Sequence, residues 1–289
     1  MENAHGESLI RLLDDPDPLV FEAVSRKILQ LGPELLPDLE SVAIDTLSPV
    51  LHEHVEHLIR ILQFDMLKKD LKTWIYSPIP QLAEGAWLMT RFQFPDLTLP
   101  EFMKLMKPLR DEIWLEISET LTALEKVRIM NTLLFDKDRL IINEDHPDSP
   151  GNNYINRVLE TGKANEHSMN LLYAVIGQDL GMQLYMVEMP DYPILSYVDV
   201  PVLPGETVDP ALFDVLFYIN PADSGTVHSR NDITNFLLSQ SLPLDPTYYN
   251  PRTNPDFIQT CLNRLALDYK LSGSEIRSSQ IQDLLTLWK

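Results

Sequence analysis

The sequence predicts an α+β protein: helical at both ends, with a core in which one helix is followed by strands. Three observations predict it. Apolar residues recur at helical spacing, punctuated by proline, as far as Arg91; a helical stretch starting near Ser168 gives way to three strand-like runs; and two further helical stretches flank Gly273 near the end.

The first stretch carries Asp14-Asp15-Pro16-Asp17-Pro18, acids suited to capping and a proline suited to a first helical turn. Val20, Phe21, Val24, Ile28 and Leu31 then share one face, and Gly32-Pro33 closes the helix. Leu35, Leu36, Leu39, Val42 and Ala43 mark a second helix, and Leu51, Val55, Leu58, Ile59 and Leu62 a third. This pattern is that of HEAT-like helical hairpins. Such units need neighbours to bury their faces, so they are expected to pack on the rest of the chain. Helical spacing resumes after Pro95 and Pro100, from Glu101 to Leu134, and Asp145 to Gly151 reads as a turn-rich loop.

In the core, Ser168 is the expected cap of a helix whose face holds Leu172, Val175, Ile176 and Leu180, with Gly181 ending it. Met182 to Met189 is apolar on both alternate sets, as a strand covered on both faces requires. Ile194 to Asp199 and Leu212 to Ile219 read as the next strands, with a loop from Pro201 to Pro210 between them. Ser229 is placed to cap a helix with Ile233, Phe236 and Leu237; the tail forms a helical hairpin. The expected division is a helical region over 1–105, a core over 106–240 and a C-terminal helical hairpin over 241–289.

Composition narrows the function. The 289 residues include 23 Lys and Arg against 43 Asp and Glu, a net charge of −20, so nucleic acid and anionic membranes are repelled over most of the surface. One cysteine, Cys261, allows neither an internal disulfide nor a multi-cysteine zinc site. Met1 to Glu7 lacks the cationic and apolar parts of a secretory signal, and a cytoplasmic location is the expectation.

The run Asn152-Asn153-Tyr154-Ile155-Asn156-Arg157-Val158-Leu159-Glu160, then Ser168 and Leu171-Leu172-Tyr173 ahead of Leu180-Gly181, resembles the transglutaminase-like superfamily of the bacterial SirB type. Further pieces extend the likeness outward: Leu12 to Pro18, Glu84-Gly85-Ala86, Phe94-Pro95-Asp96-Leu97, Asn254-Pro255-Asp256 and Leu262-Asn263-Arg264-Leu265. The resemblance implies a papain-like core in which a helix bearing a nucleophilic cysteine at its start packs on an antiparallel sheet. It also implies a histidine on one following strand and an aspartate or similar residue on the next.

That chemistry needs a thiolate, an imidazole to hold its pKa down and a third group to orient the imidazole. Carried onto this sequence, the three positions fall on Ser168, on Tyr192 (or Asp191 beside it) and on Asn220. The expectation is therefore a degenerate triad and a chain without catalysis, acting as a binding, scaffold or regulatory protein for an unknown protein or peptide. No cofactor and no metal are expected. The alternative is a hydrolase or acyltransferase that uses Ser168, or a metal site on the histidine-rich helix.

Other candidates weigh less. His52, Glu53, His54, Glu56 and His57 crowd one helix, but the residue four after His52 is Glu56, so the two-histidine zinc pattern is absent and a solvated face is expected. His167 adjoins Ser168, but successive helical side chains point ~100° apart. His146 and His228 are free to approach in space. Cys261 lies on an apolar helix face with Phe257, Ile258 and Leu265. Gly177, inside the core helix, is read as a point of close packing on the sheet. Isolated glycines give no phosphate loop.

Overall fold

The computed structural model describes residues 9–15, 17–199 and 209–288. Met1 to Glu7, Pro16 and most of the expected Pro201 to Pro210 loop lie outside them. The chain divides into two compact units, Met1–Leu71 and Lys72–Lys289.

The first unit is helical. Helix α1, Pro18–Leu31, starts where Asp17 Oδ1 accepts the Leu19 N–H at 2.9 Å and ends at Gly32, whose φ of 82° only glycine adopts cheaply. Helix α2 runs Leu36–Asp45, and α3, Pro49–Ile75, continues past the unit's end at Leu71. Ile10, Leu13, Ile28, Leu39, Val55 and Leu58 form a dry core, the faces that the sequence periodicity picks out. The histidine-rich stretch is not simply a solvated face. His52 Nδ1 lies 2.9 Å from the Ala43 carbonyl oxygen and His54 Nδ1 lies 3.0 Å from that of Leu13, while the Phe21 ring packs on His54 at 4.1 Å. Two of the three imidazoles thus tie α3 to its neighbours.

The second unit holds α4 (Leu82–Arg91), α5 (Leu99–Glu116) and α6 (Ala123–Phe135), then a short parallel pair, β1 (Ile141–Ile142) with β2 (Lys163–Ala164), bracketing α7 (Ile155–Thr161). Central helix α8, Glu166–Asp179, leads into β3 (Leu184–Val187), β4 (Ile194–Val198), β5 (Val215–Asn220) and β6 (Thr226–His228). These four form an antiparallel sheet in sequential order, with an irregularity at Tyr197/Val198. Helix α9 spans Arg230–Ser239, and α10 (Asn254–Leu271) with α11 (Glu275–Leu285) closes the unit. An α+β architecture with a helix against an antiparallel sheet is what the sequence leads one to expect.

Close packing fixes the centre. At Gly177 of α8 a Cβ would run into Leu184 Cδ1 of β3, so the helix lies on the sheet through this glycine. At Gly85 a Cβ would meet the Trp74 ring and Ile258, which lets α4 sit against α10. Ser229 caps α9 as expected: its Oγ accepts the Asp232 N–H at 3.2 Å, and Asp232 accepts the Ser229 N–H at 2.7 Å.

Three further details differ from the expectations. The third strand begins at Val215, because Pro210–Leu212 forms a 3₁₀ turn instead. Strand β6 and the two-residue pair β1 and β2 are too short to show alternation in sequence. The cap of α8 is Asn165, not Ser168.

Candidate functional site

The start of α8 is held by a reciprocal pair. Asn165 Oδ1 accepts the Ser168 N–H at 2.8 Å, and Ser168 Oγ accepts the Asn165 N–H at 3.1 Å. The hydroxyl also donates to the Asn165 carbonyl at 3.2 Å. Asparagine outranks most residues as an N-cap, and serine three residues later supplies the second half of the box, so Ser168 occupies the third helical position. Its side chain is 1% exposed, with its donor and acceptor both engaged by the main chain of one residue.

From Asn165 a buried polar chain runs outward. Asn165 Nδ2 donates to Asn153 Oδ1 at 2.9 Å, and Asn153 Nδ2 donates to Asp268 Oδ2 on α10 at 2.6 Å. Arg264 Nε lies 2.8 Å from Asp268 Oδ1, close enough for an ion pair though not aligned as a hydrogen bond. Burial raises the Asp268 carboxyl above its ordinary range, with the Asn153 hydrogen bond and the Arg264 charge pulling the other way. Arg264 Nη2 also donates to the Pro147 carbonyl, and Asn152 Nδ2 donates to that of His146 at 2.8 Å, so the loop before α7 is tied to the same network.

His167 sits inside this first turn, 9% exposed, its Nδ1 without a hydrogen-bond partner among the described residues. Burial, helped by the Arg264 charge, brings its pKa down to about 4, so the ring is neutral near pH 7. No histidine is hydrogen-bonded to Ser168 among the described residues. His146 enters the network through its main chain, and His228 lies on β6 opposite Tyr218.

The other two expected positions come together. Asn220, ending β5, donates through Nδ2 to Tyr192 Oη at 3.2 Å. Ser168 has no hydrogen bond to either of them. Beside the turn after Asn220 lies a crevice of about 480 Å³ with Met169, Phe135, Ile142, Pro221 and Ala222 in its wall. The Lys163 to Asp145 ion pair, at 2.8 Å, sits at its rim. Cys261 is fully enclosed on α10, and burial pushes its thiol far above the usual range. Among the described residues no three His, Cys, Asp or Glu side chains gather as a metal site would require, and no helix is long and apolar enough to cross a membrane.

The pairing of Asn153, Asp268 and Arg264 is not visible in any local pattern, although Asn153 and Arg264 lie in two of the runs that carry the family resemblance. A second signal is the density of asparagine between Asn152 and Asn170, where Asn152, Asn153, Asn156, Asn165 and Asn170 are all buried.

A helix packed on a four-stranded antiparallel sheet, entered through a capped first turn, defines an α+β class of core. Residues 101–263 match the family model of the transglutaminase-like superfamily, more than half of the chain, and the protein belongs to that superfamily. No curated protein and no solved structure matches the chain.

Proposed function

We propose that this chain is a non-catalytic, SirB-type member of the superfamily with a protein-binding or regulatory role in the cytoplasm. The observation that carries this reading is how the three side chains that the resemblance assigns to the family's catalytic positions are bonded. The Ser168 hydroxyl is spent on the Asn165 main chain, and Tyr192 and Asn220 are bonded to each other. Attack on a carbonyl needs a nucleophile and a base in contact. Here a serine replaces the thiol and a phenol replaces the imidazole.

Two further features support binding over chemistry. The first unit, read as HEAT-like hairpins, is a kind of surface suited to polypeptides. The net charge of −20 favours basic partners over nucleic acid. The test is to supply a glutamine-containing peptide with a labelled amine, and separately a panel of activated esters. Wild type and Ser168→Ala are expected to give the same background; turnover that disappears in Ser168→Ala contradicts the proposal.

A further inference from the structure

The loop that runs from Asp145 towards α7 is held down by side chains from α10, from β2 and from its own flanks. Arg264 of α10 donates through Nη2 to the Pro147 carbonyl at 3.2 Å and to Asp148 Oδ1 at 3.3 Å. Asn152 Nδ2 donates to the His146 carbonyl at 2.8 Å, and Asn143 Oδ1 accepts the His146 N–H at 3.3 Å. Lys163 of β2 pairs with Asp145 at 2.8 Å. Glu144, Asp145 and Lys163 also line the crevice beside the turn after Asn220, so the start of this loop is one of its walls.

Arg264 links that loop to a buried titratable ring. Its guanidinium is the charge that acts on His167, in the first turn of α8. The ring is 9% exposed, and its Nδ1 is buried with no hydrogen-bond partner among the described residues. A proton added there would set a second cation beside Arg264. The carboxylates around it are committed or wet: Asp268 is engaged by Arg264 and Asn153, Asp148 by Arg264 and Asp145 by Lys163, while Glu144 is exposed and Glu166 half-buried. Burying an unpaired charge is unfavourable, and admitting water relieves it. The contacts that yield first are those from Arg264 to Pro147 and Asp148, because both of these residues are exposed whereas Asp268 is buried.

We propose that the Arg264 bonds to Pro147 and Asp148 form an acid-released strap: protonation of His167 displaces the guanidinium from the loop, and this wall of the crevice opens while the rest of the second unit stays folded. The strap goes beyond the binding reading and stands whatever occupies the crevice. His167 has a pKa of about 4 in the closed form against 6.5 when hydrated, so the closed form binds its proton more weakly and opening is favoured as pH falls through 6.5 towards 4. Between pH 7 and pH 5.5 these values raise the opening constant by about eightfold. Asp268 works against the change: burial raises its carboxyl, so its protonation favours the closed form. Asp145, held below its usual range by Lys163, stays anionic at pH 5.5.

Hydrogen–deuterium exchange of the full chain at pH 7 and pH 5.5, corrected for the intrinsic effect of pH and read peptide by peptide, tests the strap. The amides of His146, Ser149 and Asn152 are bonded within the loop and its flank and report its opening. Their exchange is expected to rise by about eightfold at pH 5.5 while that of β3, β4 and β5 holds constant. His167→Gln should abolish the rise, and His146→Gln, at an exposed position, should keep it. Asp148→Ala, at a side chain 55% exposed, removes one strap bond at the surface and should speed loop exchange about two- to fivefold at pH 7. Corrected loop exchange that is equal at both pH values overturns the proposal, as does a rise that persists in His167→Gln or is shared by the sheet. Should His167→Gln fail to fold, Asp148→Ala decides: loop exchange equal to that of wild type overturns the strap.

Discussion

Asn220 Nδ2 donates to Tyr192 Oη at 3.2 Å, so the side chains at two of the positions that the resemblance assigns to the triad hold each other. Tyr192 also packs against the cluster formed by Val187, Ile194, Tyr218 and Leu237. Its ring is therefore structural, and its hydroxyl adds one hydrogen bond. Tyr192→Phe keeps the ring and removes that bond, with Asn220 Oδ1 already unpartnered among the described residues. A loss of about 1 kcal/mol in urea unfolding is expected; an unchanged midpoint would show that the pair adds nothing to stability.

His167 gives the fold a pH dependence. Its folded pKa of about 4 lies below the ordinary 6.5, so the native state binds its proton more weakly than the unfolded chain does. The associated stability is present in full above pH 6.5 and is lost as pH falls towards 4, by up to about 3 kcal/mol. His167→Gln lacks this titration. Urea unfolding of both proteins at neutral and at mildly acid pH should show wild type losing stability relative to the variant; parallel pH profiles would refute the neutral, buried ring.

Two glycines of similar sequence context should respond for different reasons. Alanine normally favours a helix interior over glycine by about 1 kcal/mol, but Gly177→Ala would press a methyl into Leu184 and is expected to destabilise by about 1 to 3 kcal/mol. Gly181→Ala meets open space but must keep a φ of +78°, at a cost of about 1 to 2 kcal/mol. Thermal unfolding separates them further: a second-site Leu184→Ala should relieve Gly177→Ala and leave Gly181→Ala unaided.

Cys261 reports on opening of the second unit. A buried thiol with a raised pKa reacts slowly, because the thiolate is the nucleophile. A disulfide-exchange reagent should label it only as urea unfolds the protein, and fast labelling of the native protein would contradict its enclosure.

How much of this could be read from the residues alone depended on periodicity and on local caps. Helix α1 announces itself through Asp17, Pro18 and Gly32, and the Ser229 cap of α9 is equally local. The double-sided apolar run before Met189 shows β3 because both faces are covered. Strand β6 and the β1 and β2 pair have too few residues for any pattern, and they owe their form to partners distant in sequence. The site is harder. Ser168 reads naturally as a cap, but Asn165 takes that role because its amide reaches both Ser168 and Asn153 at once. The pairing of Tyr192 with Asn220, and of Asn153 with Asp268, spans long separations that no local rule encodes.

The central claim is that Ser168, bonded to its own helix cap and without an imidazole, is not a nucleophile. The most direct test is intact-mass measurement after exposure to a fluorophosphonate, which modifies activated serines. The account predicts an unshifted mass for wild type and for Ser168→Ala alike; a single adduct on wild type, mapped to Ser168 and absent from Ser168→Ala, would contradict it.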